Sequence, residues 1–452
     1  MVSRRNFLRA GAVATGAVLS KQGLAQGNPV CPLAPAIAGL KSMRERARPI
    51  SLAERRARQE KARALMEANG FDAILLMEGN SLNYFTGIRW RGGERMFTMV
   101  LPAKGAAFYV CPGFEEGRAR EQIAQAPGGE QADMRIWQED DSPYLRVAQG
   151  LKDRSLLTGR IGIEESVRVV FREGIDKAAP QAKLVSATPV TGGCRMIKSD
   201  TELGLMRLAS QVTLTAYEAV YRSLRAGMTQ LEVSEMVEAA HRRLGFEGDA
   251  MVEVGEYTAF PHGSVEPQVI REGVPVLIDG GCRVEGYQSD ITRILLIGKP
   301  PEKVKKVFEI VHRAQSAALA AARPEVECGA VDAAARKVIV DAGYGPDYKF
   351  FTHRLGHGIG MDGHEWPYLV RGNTTKLAAN MTFSDEPGIY LRGEFGVRLE
   401  DDMHITESGA ELLTPQSPSV EEPFGAQHSA ISGELVARFG DLGNWHLAGR
   451  GQ

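Results

Sequence analysis

Five side chains able to ligate a cation lie in the second half of this chain: Asp279, Asp290, His357, Glu386 and Glu400. Four carboxylates and one imidazole carry too much negative charge to be buried together without cations. If the five converge they hold metal, and the charge is right for two ions. Oxygen-rich donors with a single histidine favour Mn²⁺ over a thiolate-seeking metal, with Co²⁺, Zn²⁺ and Fe²⁺ as alternatives. Such ions lower the pKa of a bound water and polarise a carbonyl, which is hydrolytic chemistry.

The spacing says how the ligands meet. Asp279 sits in Ile278-Asp279-Gly280-Gly281 and Asp290 in Ser289-Asp290-Ile291-Thr292-Arg293, eleven residues apart. On one straight strand that separation puts them far apart and on opposite faces. Across a hairpin they can face each other. Aspartate is unusual within strands rich in Val, Leu and Ile, and a buried one demands a partner. An ion pair, for example with Arg293, is the alternative reading. Residues 274–297 read as a hairpin turning at Glu285-Gly286. Residues 381–405 read as a second, turning near Arg392-Gly393, with Glu386 on one arm and Glu400 on the other. Two such hairpins imply a pseudo-twofold site. Taken alone, the run Arg398-Leu399-Glu400-Asp401-Asp402 reads as a solvated edge. His357 is flanked by Gly356, Gly358 and Gly360, which let the backbone approach something closely. His353 and His364 lie nearby in sequence.

The supporting elements are legible as well. Ser51 with Glu54 forms a capping box that opens a helix ending near Gly70. Residues 71–77 read as a buried strand, with further strands at 96–101 and 106–111. Strand and helix alternate to about residue 190, an α/β pattern. Helices are expected at 201–224, 230–244, 302–322 and 328–342, with strand-rich blocks at 250–297 and 381–406. These define a first domain at 48–190 and a second at 198–414. Residues 27–47, with three prolines, read as a linker, and 415–452 as a loosely ordered tail rich in Ser, Pro, Glu and Gly.

Composition narrows the class. A net charge of −2 offers no polybasic face to nucleic acid. No apolar run approaches the roughly 18 residues of a spanning helix, so no stable membrane association is expected. Five cysteines without CxxC spacing form neither a disulfide framework nor a zinc site; Cys282 reads as a small core residue. Residues 1–26 read as a twin-arginine signal. Arg4-Arg5 precede the Ala/Gly-rich stretch 10–19, then Lys21 and the small residues around Ala25. Export of a folded, metal-loaded protein to the periplasm by the twin-arginine machinery is the expectation.

Seven stretches in order resemble one family. They are Phe260-Pro261-His262-Gly263, Asp279-Gly280-Gly281, Ser289-Asp290-Ile291-Thr292-Arg293, Gly356-His357-Gly358-Ile359-Gly360, His364-Glu365, Glu386-Pro387-Gly388-Ile389-Tyr390 and Gly396-Val397-Arg398-Leu399-Glu400-Asp401. With Asn83-Tyr84-Phe85-Thr86-Gly87 upstream, the chain resembles the pita-bread metallopeptidases, in particular the Xaa-Pro peptidase branch of prolidase and aminopeptidase P. The resemblance implies an α/β (α+β) molecule. A creatinase-like N-terminal domain would precede a pita-bread domain with a curved, mostly antiparallel sheet.

Carried over position by position, the resemblance makes Asp279 a ligand of one metal, His357 and Glu386 ligands of the other, and Asp290 and Glu400 bridges. It implies a metal-bridging hydroxide that cleaves the bond before proline at the second position of a peptide or dipeptide. Glu386 is then the proton shuttle, and His262 and His364 steady the substrate and the tetrahedral intermediate. His353 touches substrate or orients the ligands. Arg398 contacts the substrate carboxylate or gates the site, or else pairs with Asp401 or Asp402. Arg293 and Tyr390 support the ligands. A homodimer is implied. Asp385 departs from the family pattern, which has an apolar residue there. The alternative on the same fold is a hydrolase or lyase of a non-peptide small molecule, like creatinase, ectoine hydrolase or the sulfoniopropionate lyases.

Overall fold

The computed structural model describes residues 33–425; the expected signal segment and residues 426–452 of the expected tail lie outside them. The first element departs from the sequence expectation of a linker at 27–47. Helix α1 (Pro35–Ala38) begins on Pro35, and its Ile37 is fully buried. Met43 N donates to Leu244 O at 2.8 Å, and Arg243 Nη2 donates to Ala38 O at 2.9 Å. Proline suits the first helical turn, where no amide donor is needed. One buried isoleucine then anchors the segment, so proline content alone did not make a spacer.

The N-terminal domain is a six-stranded mixed sheet between helices. Helix α2 (Leu52–Asn69) starts at the Ser51–Glu54 capping box and stops at Gly70, whose φ of 66° a side chain would resist. The chain continues through β1 (Ala73–Met77), α3 (Asn80–Thr86), β2 (Thr98–Pro102), β3 (Phe108–Pro112), α4 (Glu116–Ile123) and β4 (Asp133–Trp137). It then passes α5 (Pro143–Asp153), β5 (Arg160–Ile163), α6 (Val169–Ala178), β6 (Lys183–Ser186) and α7 (Thr188–Arg195). The strand order is β4-β3-β2-β1-β5-β6. Strand β1 pairs antiparallel with β2 and parallel with β5. It is central and buried on both faces, which is why Ala73-Ile74-Leu75-Leu76-Met77 reads as an unbroken apolar run.

The second domain opens with two more capping boxes. Ser199 and Glu202 cap α8 (Asp200–Tyr221), and Thr229 and Glu232 cap α9 (Gln230–Leu244). Strands β7 (Glu247–Val254), β8 (Val276–Val284), β9 (Tyr287–Gln288) and β10 (Ile291–Leu295) follow. Helices α10 (Glu302–Ala321) and α11 (Cys328–Asp341) precede β11 (Gly356–Gly358) and β12 (Glu365–Leu369). The last strands are β13 (Thr382–Asp385), β14 (Gly388–Leu391), β15 (Phe395–Arg398), β16 (Asp401–Ile405) and β17 (Ala410–Leu412). Antiparallel strands β10-β8-β7 share one apolar core with α8 and α9; β12-β11-β13-β16-β17 share another with α10 and α11. A curved antiparallel surface backed by helix pairs is the pita-bread arrangement.

The last described residues also differ from the expected loose tail. Val420 and Phe424 are buried, and Phe424 packs on Tyr221 with ring centroids 5.8 Å apart. Arg293 Nη2 donates to Pro415 O at 2.9 Å, and Lys305 pairs with Glu421. Two apolar anchors and an ion pair hold 415–425 against the second domain, despite their polar composition.

The domains are joined by buried charge. Arg58 of α2 pairs with Glu202 of α8 at 3.2 Å, and Glu202 also accepts from Tyr287 Oη at 2.6 Å. Glu365 of β12 pairs with Arg195 and, at 3.3 Å, with Lys198. Both cations holding Glu365 come from the end of α7 and the segment after it.

Candidate metal centre and active site

Two hairpins deliver the carboxylates. In the first, Glu285 and Gly286 take φ of 52° and 95°, the paired left-handed conformation of a tight two-residue turn. Register places Asp279 opposite Thr292. Asp290, two residues before Thr292, shares its face and lies diagonal to Asp279. In the second hairpin, Asp385 pairs with Asp401 below the gap and Gly388 with Arg398 above it. The same register sets Glu386 opposite Glu400. The ladder is interrupted there, so both side chains turn inward. Thr292 and Glu400 then exchange backbone hydrogen bonds at 3.3 Å, which stitches the two hairpins together. The paired hairpins read in the sequence are therefore real, and they meet at the site.

All five expected ligands converge. Asp279, Asp290 and Glu400 present oxygens within 4.8 Å of one another, and so do the donor atoms of His357, Glu386 and Glu400. Glu400 belongs to both triads. Asp290 also groups with His357 and His364. His357 Nε2 lies 3.3 Å from Glu386 Oε1 and 3.8 Å from Asp290 Oδ2. The glycines around His357 have a reason. A Cβ on Gly356 would stand 2.0 Å from Ser384 O, and one on Gly358 2.6 Å from Glu365 O. Only glycine lets β11 slide between β12 and β13.

The donor set fits divalent ions. His357 Nδ1 lies 3.1 Å from Gly358 O, where it donates and leaves the Nε2 lone pair facing the carboxylates. Burial first, then the neighbouring His364, lowers the His357 pKa to about 3, so the ring is neutral as a ligand must be. Without cations the carboxylates hold protons instead. Burial raises Asp290, with Asp279 the next cause, and it raises Glu400, with Asp290 the next cause. Burial also pushes Glu386 up to about 7, against the opposing pull of Arg398. Buried acids crowded this closely are stable as carboxylates only beside positive charge.

The groups around the ligands are placed as follows. Thr292 Oγ1 donates to Glu400 Oε2 at 2.5 Å, and Ser384 Oγ to Glu386 Oε1 at 3.1 Å. His364 is exposed, its ring stacked on His357 with centroids 3.7 Å apart. His262 is exposed on the loop after β7. His353 is held between two partners: its Nδ1 reaches Arg354 O at 2.8 Å and its Nε2 meets Tyr390 Oη at 2.7 Å. Arg336 fixes the same segment through Phe351 O and His353 O, and is itself gripped by Asp332.

Two alternatives raised by the sequence are corrected. Arg293 pairs with neither Asp279 nor Asp290; it is fully buried against Asp401 at 2.6 Å and donates to Glu400 O at 2.8 Å. It lies in β10, which Asp290 immediately precedes, and an odd separation of three residues along extended chain turns it to the opposite side. Arg398 does not pair with Asp401 or Asp402. It is buried on Asp279, and its other donors reach Thr292 Oγ1 at 3.2 Å, Tyr390 Oη at 2.8 Å and Pro261 O at 3.2 Å. Arg398 thus ties a ligand to the loop that carries His262.

Residues beyond the sequence-based set also matter. Thr292 holds the Glu400 carboxylate and Ser384 that of Glu386; the alternation Asp290-Ile-Thr292 was the available signal. Asp402 Oδ2 accepts from Asp290 N at 3.2 Å and Ser210 Oγ at 2.9 Å, which no local pattern announced. Asp385 is fully buried, neither carboxyl oxygen has a hydrogen-bond partner among the described residues, and burial raises it well above the carboxylate range. Cys282 is a buried core thiol.

Known proteins share this architecture. Residues 204–407 match the model of Metallopeptidase family M24, and residues 58–197 match the Creatinase/Prolidase N-terminal domain. The putative dipeptidase YkvY of Bacillus subtilis is 32% identical over 361 residues, covering 79% of this chain and 97% of the relative. The Xaa-Pro dipeptidase of Lactobacillus delbrueckii subsp. lactis is 30% identical, covering 80% and 98%. The crystal structure of dipeptidase PepE from Mycobacterium ulcerans superposes with a TM-score of 0.76 at 33% identity, covering 81% and 97%. With its two carboxylate hairpins, its neutral histidine and relatives matched over nearly their whole length, this chain belongs to metallopeptidase family M24 and carries the creatinase/prolidase N-terminal domain.

Proposed function

We propose that the protein hydrolyses the bond between an N-terminal residue and proline, with X–Pro dipeptides as the principal substrates. The observation that carries this is the pair of ligand triads sharing Glu400. The Xaa-Pro dipeptidase name of a relative aligned over nearly its full length supports the substrate class. Asp279, Asp290, His357, Glu386 and Glu400 would hold two divalent ions, Mn²⁺ first among them. Bound there, the ions supply a water of lowered pKa and polarise the scissile carbonyl.

The chain's own groups do the rest. Glu386 Oε1 is occupied by Ser384 and faces His357, so Oε2 is the atom that carries a proton to the leaving proline nitrogen. His364 and His262 are the exposed histidines beside the ligands, placed to steady the substrate carbonyl as charge develops on it. Arg398 acts by position: with its donors spent on Asp279, Thr292, Tyr390 and Pro261, it holds a ligand and the His262 loop together. Its use as a gate or a direct carboxylate contact would require those bonds to break.

The protein is proposed to work as a homodimer in the periplasm, delivered by the twin-arginine machinery. Metal analysis with a panel of X–Pro, X–Pro–Y and proline-free peptides tests the assignment. Two equivalents of metal with cleavage only before proline is the expected result. Metal without cleavage of any peptide refutes it and leaves the small-molecule hydrolase or lyase reading.

A further inference from the structure

A cavity of about 160 Å³ opens beside the ligands, between the turn after β5, helix α7 and the hairpin of β11 and β12. An engineered void of about 150 Å³ admits benzene, so this one has room for one long side chain. His364, stacked on His357, is part of its wall. The cavity therefore adjoins the candidate metal centre through the His364 ring, while its far side belongs to the N-terminal domain.

Its charge is unbalanced. Asp362 and Glu365 also line it, but Arg195 pairs with both and Lys198 pairs with Glu365. Glu164 and Glu165 are different. Among the described residues, neither has a lysine, arginine or histidine within ion-pair distance. Glu165 is held from two sides: Trp366 Nε1 donates to its oxygens at 3.2 and 3.3 Å, and Thr188 Oγ1 donates to Oε1. Glu164 is partly buried, and its burial pushes its pKa up to about 7. Two carboxylates line this cavity without an ion-pair partner of their own, Arg195 being committed to Asp362 and Glu365, and such a wall favours a cationic occupant.

We infer that this cavity, with Glu164 and Glu165, is the subsite for the side chain of the residue before proline, and that it selects lysine or arginine there. The inference rests on the X–Pro reading above. In an X–Pro substrate the proline ring is neutral, and the terminal ammonium stays beside the scissile bond. Only the side chain of X can carry a positive charge as far as the cavity. The aliphatic stem would lie along Trp366 and the exposed ring of His364, with the charged head between the two glutamates.

The test compares kcat/KM for Arg–Pro, norleucine–Pro and Glu–Pro on the metal-loaded full chain and on E165Q and E164Q/E165Q. Charge-assisted contacts predict that wild type prefers Arg–Pro over norleucine–Pro by about tenfold and disfavours Glu–Pro. The Arg–Pro to norleucine–Pro ratio should fall toward one in E164Q/E165Q, with E165Q between. Because the ratio is taken within one protein, loss of folded or loaded enzyme cancels. Glu165 is exposed, so E165Q supplies the answer if the double variant folds poorly. Turnover of norleucine–Pro without a preference for Arg–Pro, or a preference that survives E165Q and E164Q/E165Q, overturns the subsite alone. No turnover of any X–Pro dipeptide overturns the hydrolase reading and the subsite with it.

Discussion

Replacing Arg293 by methionine should damage the metal centre without touching a ligand. Arg293 has no exposure, and neither does its partner Asp401. The guanidinium also donates to the carbonyls of Thr292, Glu400 and Pro415 at 3.0, 2.8 and 2.9 Å. Methionine fills much of the volume but leaves Asp401 as a buried carboxylate with only Gln315 Nε2, at 3.0 Å, and Thr414 Oγ1, at 2.5 Å. Removing one partner of a buried pair costs about 3–5 kcal/mol. For a domain of this size that lowers Tm by roughly 6–20 °C. Thermal unfolding of the metal-free protein measures it directly. The double variant R293M/D401N should recover more than half of the loss, because the amide carries no charge: its oxygen can accept from Gln315 Nε2 while its NH2 donates to the Thr414 hydroxyl, which can also accept. Metal affinity should fall with R293M, since the Thr292–Glu400 bridge loses its anchor. A cost below about 1 kcal/mol, or a double variant no more stable than the single, would refute the buried-pair account.

Other expectations follow from the same geometry. E400A should abolish binding of both metal ions and all activity, whereas H262A should keep its metal and lose turnover; metal content by elemental analysis beside peptide hydrolysis separates the two. Metal loading should release protons and tighten as pH rises through about 7, where Glu386 ionises, by up to tenfold per pH unit for each proton displaced. Calorimetry in buffers of different ionisation enthalpy counts those protons, and a pH-independent affinity would contradict the raised carboxylates. Glu386 and Asp402 have folded pKa values above the ordinary range, so they stabilise the metal-free fold at low pH. That stability should drain away as pH rises from about 5 to 8, a decline that a thermal-unfolding series would detect and that metal should suppress. Exchanging Arg4-Arg5 for Lys-Lys should retain the precursor in the cytoplasm, read by fractionation; unaltered export would end the signal assignment.

Much of this site was written locally. A capping box is a contact within four residues: the one read at Ser51 opens its helix, and Ser199 and Thr229, not singled out in the sequence, open two more in the same way. The hairpins were legible because a strand's two-residue period and a Glu-Gly turn are local too. Glu400 was harder: its charged neighbours resemble a solvated edge, yet Asp401 and Asp402 are fully buried. Their partners, Arg293, Gln315 and Ser210, come from distant elements, so no window of sequence could show that the run points inward. The same limit hid the direction of Arg398. Its distance from Asp279 is set by the meeting of two hairpins, not by its closeness in sequence to Asp401. Composition misled at both ends, where Ile37, Val420 and Phe424 anchor segments that are otherwise polar or proline-rich.

The charge around the two hairpins argues for two ions rather than one. Seven carboxylates gather there: Asp279, Asp290, Asp385, Glu386, Glu400, Asp401 and Asp402. In the metal-free protein burial, with Asp401 and Glu386 beside it, raises Asp385 well above the carboxylate range, and burial pushes Asp402 up to about 8, so both favour the protonated form and are counted here as neutral. Of the five charges that remain when the ligands are bound, Arg293 answers Asp401 and Arg398 answers Asp279. Three are left unmatched. One divalent ion would leave a net negative charge in a buried site, which costs several kcal/mol. Two ions reverse the sign and leave a single positive charge, ready for a hydroxide or a substrate carboxylate. On this count Asp385, which departs from the family pattern, is tolerated because it is protonated; D385N should leave metal stoichiometry at two, and a fall to one would show that its charge belongs to the site.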